Sequence, residues 1–262
     1  MKSSMPSLFV SHGAPTIALD NSGAHQFLEK LGETVPAPSS ILVVSAHWET
    51  DTPHVSHAET PETIYDFRGF PQELYEMTYP APGAPALASR VSELLEGAGM
   101  GPVVSEVRGL DHGAWVPLKL SYPAANIPVT QLSIQLDLDP THHYQLGQAL
   151  RPLRDEGVLI LASGNLTHNL SEFRGRALDA EAPDCVQIFD EWMICCIIGA
   201  GVRKLCAIIR RMSICCRYLW LWGLERRGNP GVIYTKVIVM ACWRWMLTRF
   251  REQSCINMIY PA

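Results

Sequence analysis

Histidine is missing from the last third of this 262-residue chain, and cysteine is almost missing from the first two thirds. All nine histidines lie at or before His168, while seven of the eight cysteines follow Met193. No apolar run reaches the roughly 18 to 20 residues that cross a bilayer, and Met1 to Pro6 lacks the apolar stretch of a secretory leader. Both absences predict an intracellular, cytoplasmic protein with no membrane partner. Basic residues are too few for a nucleic-acid footprint, since the net charge is −5. With 47% hydrophobic residues disorder is excluded, and the length suffices for one large α/β domain.

The averages conceal a break. From Ile194 to Ala262 there are 11 Lys and Arg against only 2 acids, a balance of +9, and four of the seven tryptophans. Residues 1–193 carry 10 basic and 24 acidic residues, a balance of −14. A shift this abrupt marks a second unit, a basic arm, or sequence not selected to fold with the rest. The adjacent pairs Cys195-Cys196 and Cys215-Cys216 lack the spacing of a zinc site.

Residues 1–193 alternate strand and helix signals. Ser7–Val10, Ser40–Ala46, Ile127–Ile134 and Gly157–Ala162 read as buried strands. Ala84–Leu95 and His143–Leu153 have apolar residues at helical spacing, Phe189–Trp192 opens another helix, and Tyr79–Pro85 is a rigid loop entering a helix. This order predicts an α/β fold with a mostly parallel central sheet covered by helices on both faces.

Three of the strands end in a histidine among small residues: Ser11-His12-Gly13, Ser45-Ala46-His47 and Ser163-Gly164-Asn165 leading to His168. Sites of open α/β sheets form beyond the carboxyl ends of the strands, and neutral imidazole suits Fe(II) or Zn(II). His112 lies in a further turn, Leu110-Asp111-His112-Gly113. Taken singly, each histidine reads as an ordinary hydrogen-bonded residue, and recurrence at equivalent positions is what points to a metal. His25, His54, His57, His142 and His143 lack that setting and read as surface residues. Trp48, Tyr65, Phe67, Phe70 and Trp115 suit either an aromatic ligand or the core.

Six ordered segments, SHGAP, SAHW, TIYDFRGFPQELYEMTYPAPGAP, GLDHGAW, PVTQLSI and ASGNLTHNL, resemble the class III extradiol ring-cleavage dioxygenases. The similarity is greatest to their bacterial 4,5-DOPA extradiol dioxygenase-like group. It implies a metal-dependent oxidoreductase that opens a catechol ring with O₂, using Fe(II), often replaced by Zn(II). By motif, His12, His47 and His168 correspond to metal-site histidines. His112 corresponds to a histidine near the substrate and is a candidate acid/base, a role His168 fills in more distant relatives. A zinc-dependent hydrolase and a non-catalytic metal-binding remnant are the alternatives.

The resemblance covers about residues 5–193. The family's later EHLLPL-like motif, with its metal-site histidine, and its GVLAMDAYAF-like strand do not appear. Yet codons for Met240–Leu247, read from each third base, are compatible with GVLAMDA, and those for Met212–Glu225 with EHLLPLFVALGAG. Residues 1–193 therefore read as the catalytic domain, and residues 194–262 as a non-family tail translated out of frame. Such a tail has no periodicity with which to cover a sheet, and marginal stability is expected.

Overall fold

The computed structural model describes residues 4–165. Six strands form one sheet: β1 (Ser7–Ser11), β2 (Ser40–Glu49), β3 (His54–Ser56), β4 (Val104–Glu106), β5 (Val129–Ile134) and β6 (Val158–Gly164), in the order β1-β6-β2-β5-β3-β4. All neighbours run parallel except β3 and β5, which are antiparallel. This is the mostly parallel sheet expected from the sequence. The register pairs Val10 with Ser163 and Ser45 with Ser163, so the carboxyl ends of β1, β6 and β2 lie together.

Strand alternation divides the core in two. On one side Leu42, Val44, Leu132, Val158 and Ile160 pack with Leu87, Val91 and Leu95 of α3 (Pro85–Gly97) and with Leu146 and Leu150 of α5 (Pro140–Leu150). On the other, Leu8, Val10, Ile41, Val43, Leu159 and Leu161 pack with α1 (Gly23–Thr34) and α4 (His112–Ser121). Two short helices, α2 (Gln72–Glu76) and α6 (Pro152–Asp155), and a 3-10 turn at Pro15–Ala18 complete the described elements.

Local chemistry explains most helix boundaries. Ser22 caps α1 by accepting the His25 N–H, and Ala24, Leu28 and Leu31 form its buried stripe. The Asp139 carboxylate accepts the Thr141 and His142 amides at the start of α5, and Pro140 and Pro85 occupy the first turns of their helices. Helix α4 differs: eight of its ten residues are buried, including Trp115 and Leu118, so it carries no polar outer face. Burial of such side chains contributes roughly 1.5–3 kcal/mol each.

Two expectations need correction. The helix read at His143–Leu153 begins earlier, at Pro140, and is interrupted at Arg151, with Pro152 opening α6. His143, read as a surface residue, is only 2% exposed, because it lies on the same side of α5 as Leu146 and Leu150. The remaining four of that group, His25, His54, His57 and His142, are partly buried. The expected helix from Phe189 and the whole of residues 194–262 lie outside the described residues.

Candidate metal centre

Three elements bring imidazoles together at the carboxyl edge of the sheet. His12 follows the last residue of β1, where Gly13 takes a φ of 60° that turns the chain away. His47 lies within β2, which runs two residues beyond it, to Glu49, with a register shift against β5 between Val44 and Glu49. His112 is the first residue of α4, which packs against β2. The ring centroids are 4.9 Å (His12–His47), 5.2 Å (His12–His112) and 4.1 Å (His47–His112) apart. Each offers a nitrogen within 4.8 Å of the other two, so the three could hold one metal ion among the described residues.

Oxygen atoms hold the opposite sides of these rings. Nδ1 of His12 lies 2.8 Å from Ser163 Oγ on β6. Nδ1 of His112 lies 2.8 Å from Asp66 Oδ1, and Nδ1 of His47 lies 3.5 Å from Asp66 Oδ2. Nε2 of His12 and Nε2 of His47 are turned toward each other at 3.0 Å. Metal-binding imidazoles show this pattern, one nitrogen fixed by an oxygen and the other presented to the ion. The donor set is chemically suited to a divalent transition metal.

The surrounding polar groups keep the loops in place. Asn165 Oδ1 accepts from Ser11 Oγ at 2.7 Å and from the Gly13 amide at 3.2 Å, tying the turn after His12 to the end of β6. Asp111, fully buried at the cap position of α4, sends its carboxylate inward instead of capping. It accepts from Ser45 Oγ at 2.6 Å and Gln131 Nε2 at 2.7 Å, with Arg108 Nη2 3.5 Å away. Asp66 takes over the cap, accepting the His112 backbone N–H at 2.9 Å. Burial pushes the Asp66 carboxyl upward, but hydrogen bonds and charge from His112, with a smaller contribution from His47, outweigh it and hold the group below its ordinary value.

Among the aromatics, Phe67 reaches the site, its ring 5.6 Å from that of His112 and perpendicular to it. Trp115 is fully buried and donates its indole N–H to Ile64 O. Trp48 is buried beneath the Arg108 guanidinium, 5.0 Å from its ring. Both tryptophans belong to the core. Of the histidines singled out in the sequence, His12, His47 and His112 meet here, and His168 lies outside the described residues. Asp66 carried no signal of its own. Asp66 and Asp111 fall inside two of the six family-like segments, and Ser163 precedes the glycine of another.

A mostly parallel sheet with clustered imidazoles at its carboxyl edge defines an α/β protein whose described residues could hold a metal ion. The family described as the catalytic LigB subunit of aromatic ring-opening dioxygenase matches residues 5–212, and the chain belongs to it. It is thereby an enzyme of the extradiol ring-cleavage dioxygenase class. A Beta vulgaris protein named 4,5-DOPA dioxygenase extradiol is 53% identical over 189 residues, covering 71% of this chain and 70% of that one. The Escherichia coli protein of the same name is 49% identical over 168 residues, covering 63% of this chain and 61% of its own. The crystal structure of an uncharacterized Escherichia coli K12 protein aligns with a TM-score of 0.63 and 33% identity, over 91% of this chain and 89% of that one. No helix among the described residues is long and apolar enough to cross a membrane.

Proposed function

We propose that the chain opens the ring of a catechol of the DOPA type with O₂, by extradiol cleavage at a divalent ion, Fe(II) or its substitute Zn(II), of which only iron supports turnover. The observation that carries this reading is the convergence of His12, His47 and His112 from the turn after β1, from β2 and from α4 onto one point. His12 and His47 would hold the ion through the Nε2 atoms that face each other, with His168 completing the set. When bound, such an ion would bind both catechol and O₂ and supply the path for electron density between them.

The chain's own groups do the rest. His112 is backed by a carboxylate on Nδ1, the arrangement that orients an imidazole as a proton acceptor. Its role is to take a catechol proton and return it later in the cycle. Phe67, perpendicular to His112 at 5.6 Å, provides an apolar wall against which an aromatic ring packs.

Oxygen consumption with a catechol under Fe(II), giving a yellow ring-opened product, tests this reading. His12→Ala and His47→Ala should lose the metal. His112→Ala should keep the metal and lose turnover. Metal bound at stoichiometry with no oxygen consumed would instead identify a non-catalytic metal-binding protein, and hydrolysis of an ester or amide a zinc hydrolase. Loss of metal from His112→Ala would make that residue a ligand and withdraw its proton role.

A further inference from the structure

Asp66 belongs to no helix or strand, yet its two oxygens serve two imidazoles. Oδ1 lies 2.8 Å from Nδ1 of His112 and 2.9 Å from the backbone nitrogen of the same residue. Oδ2 lies 3.5 Å from Nδ1 of His47. The three residues are far apart in the chain, and a single carboxylate links the side chain from β2 to the one from α4.

An ionised carboxylate only accepts hydrogen bonds, so Nδ1 of His112, hydrogen-bonded to it, carries the hydrogen. The negative charge 3.5 Å from Nδ1 of His47 favours the same tautomer there. A neutral imidazole with its hydrogen on Nδ1 has its lone pair on Nε2, the atom that can bind a metal or take a proton. For His47 that atom is the one 3.0 Å from Nε2 of His12. Capping of α4 requires only the bond to the His112 backbone, and the two Nδ1 contacts go beyond it.

We propose that Asp66 is a positioning residue that fixes His47 and His112 in the same tautomer, one as a metal ligand and the other as the proton-transfer group. The metal half of this statement rests on the proposed function. The tautomer half rests on the Asp66 contacts and needs no ion.

Long-range ¹⁵N–¹H NMR of the full chain, labelled at histidine and free of metal at a pH above histidine titration, should show both rings with hydrogen on Nδ1. In Asp66→Asn the new amide donates toward His47, and that ring should move its hydrogen to Nε2. Zn(II) affinity, measured by competition with a chromophoric chelator, should fall about tenfold or more in that variant. Asp66→Glu should recover most of the loss and restore the parent tautomer. Hydrogen on Nε2 of His112 in the parent overturns the proposal, without recourse to any variant. So do unchanged tautomers in Asp66→Asn, even with weakened Zn(II) binding, because a helix cap alone would then account for the residue. A parent that binds no Zn(II) overturns the metal half together with the proposed function, while the NMR result still decides the tautomer half.

Discussion

Gly113 lies against His47 with no room for a methyl group between them: a Cβ there would stand 3.0 Å from the imidazole Cδ2 and 3.2 Å from Asp111 Oδ1, and would overlap Ser45 Oγ. Helix propensity alone favours Ala over Gly in the first turn of α4 by up to about 1 kcal/mol. The steric argument has the opposite sign, since overpacking costs about 1–3 kcal/mol. Gly113→Ala should therefore destabilise the protein in urea and weaken Zn(II) binding by displacing His47. A stabilised variant with unchanged metal affinity would show that the site yields easily.

The buried Asp111 carboxylate gathers Ser45, Gln131 and Arg108, and its removal strands all three. Asp111→Ala should cost about 3–5 kcal/mol, the range for breaking a buried charged network. Asp111→Asn should cost distinctly less. The new amide nitrogen opposes Gln131 Nε2, but Gln131 Oε1 is buried with no hydrogen-bond partner among the described residues. Turning that side-chain amide over therefore pairs Oε1 with the new N–H and leaves one neutral N–H, not a charge, without an acceptor. Urea unfolding of the two variants, and of each combined with Gln131→Leu, checks this: the advantage of Asn over Ala should shrink when Gln131 is gone.

The sheet was legible because its strands are continuous apolar runs, as Ser40–Ala46 and Gly157–Ala162 illustrate, and a parallel sheet needs apolar residues on both faces. Strands β3 and β4 escaped notice because three residues each, His54–Ser56 and Val104–Glu106, give no period to read. Helix α4 was hidden for a related reason, being buried nearly all round and carrying Pro117 within it. His12 and His47 stood out through their matching strand-end settings. Asp66 did not, since a carboxylate 46 residues from its partner in the chain carries no local pattern. His143 was misplaced because its neighbours in sequence, His142 and Tyr144, suggest a polar face that the helix turns only partly outward.

His142 and His143 should make the fold acid-sensitive. Burial is the main cause holding both below their ordinary value of 6.5, and Asp139 opposes it only in part. As pH falls below 6.5 the unfolded chain takes up protons before the folded one does, so the stability present above that pH is lost through the lowered folded values. The urea midpoint should drop between pH 8 and pH 5.5. His143→Gln, neutral throughout, should lessen that drop. An equally steep decline in the variant would assign the acid sensitivity to other groups.

The tail supplies the last prediction. We infer that residues 194–262 are an out-of-frame translation of a family C-terminal region, because GVLAMDA and EHLLPLFVALGAG both fit one shifted frame of Met240–Leu247 and Met212–Glu225. Sequencing the coding DNA downstream of the Met193 codon should find that frame open, with both motifs spelled out. Stop codons in it, or other residues at those positions, would end the inference. The frame-restored protein regains a histidine that the tail, with none after His168, cannot offer. An additional imidazole at the centre should tighten Zn(II) binding at least tenfold and raise the urea midpoint, because bound metal stabilises only the folded state. If both proteins bind Zn(II) equally well, His12, His47 and the remaining histidines suffice, and the restored region adds nothing to the site.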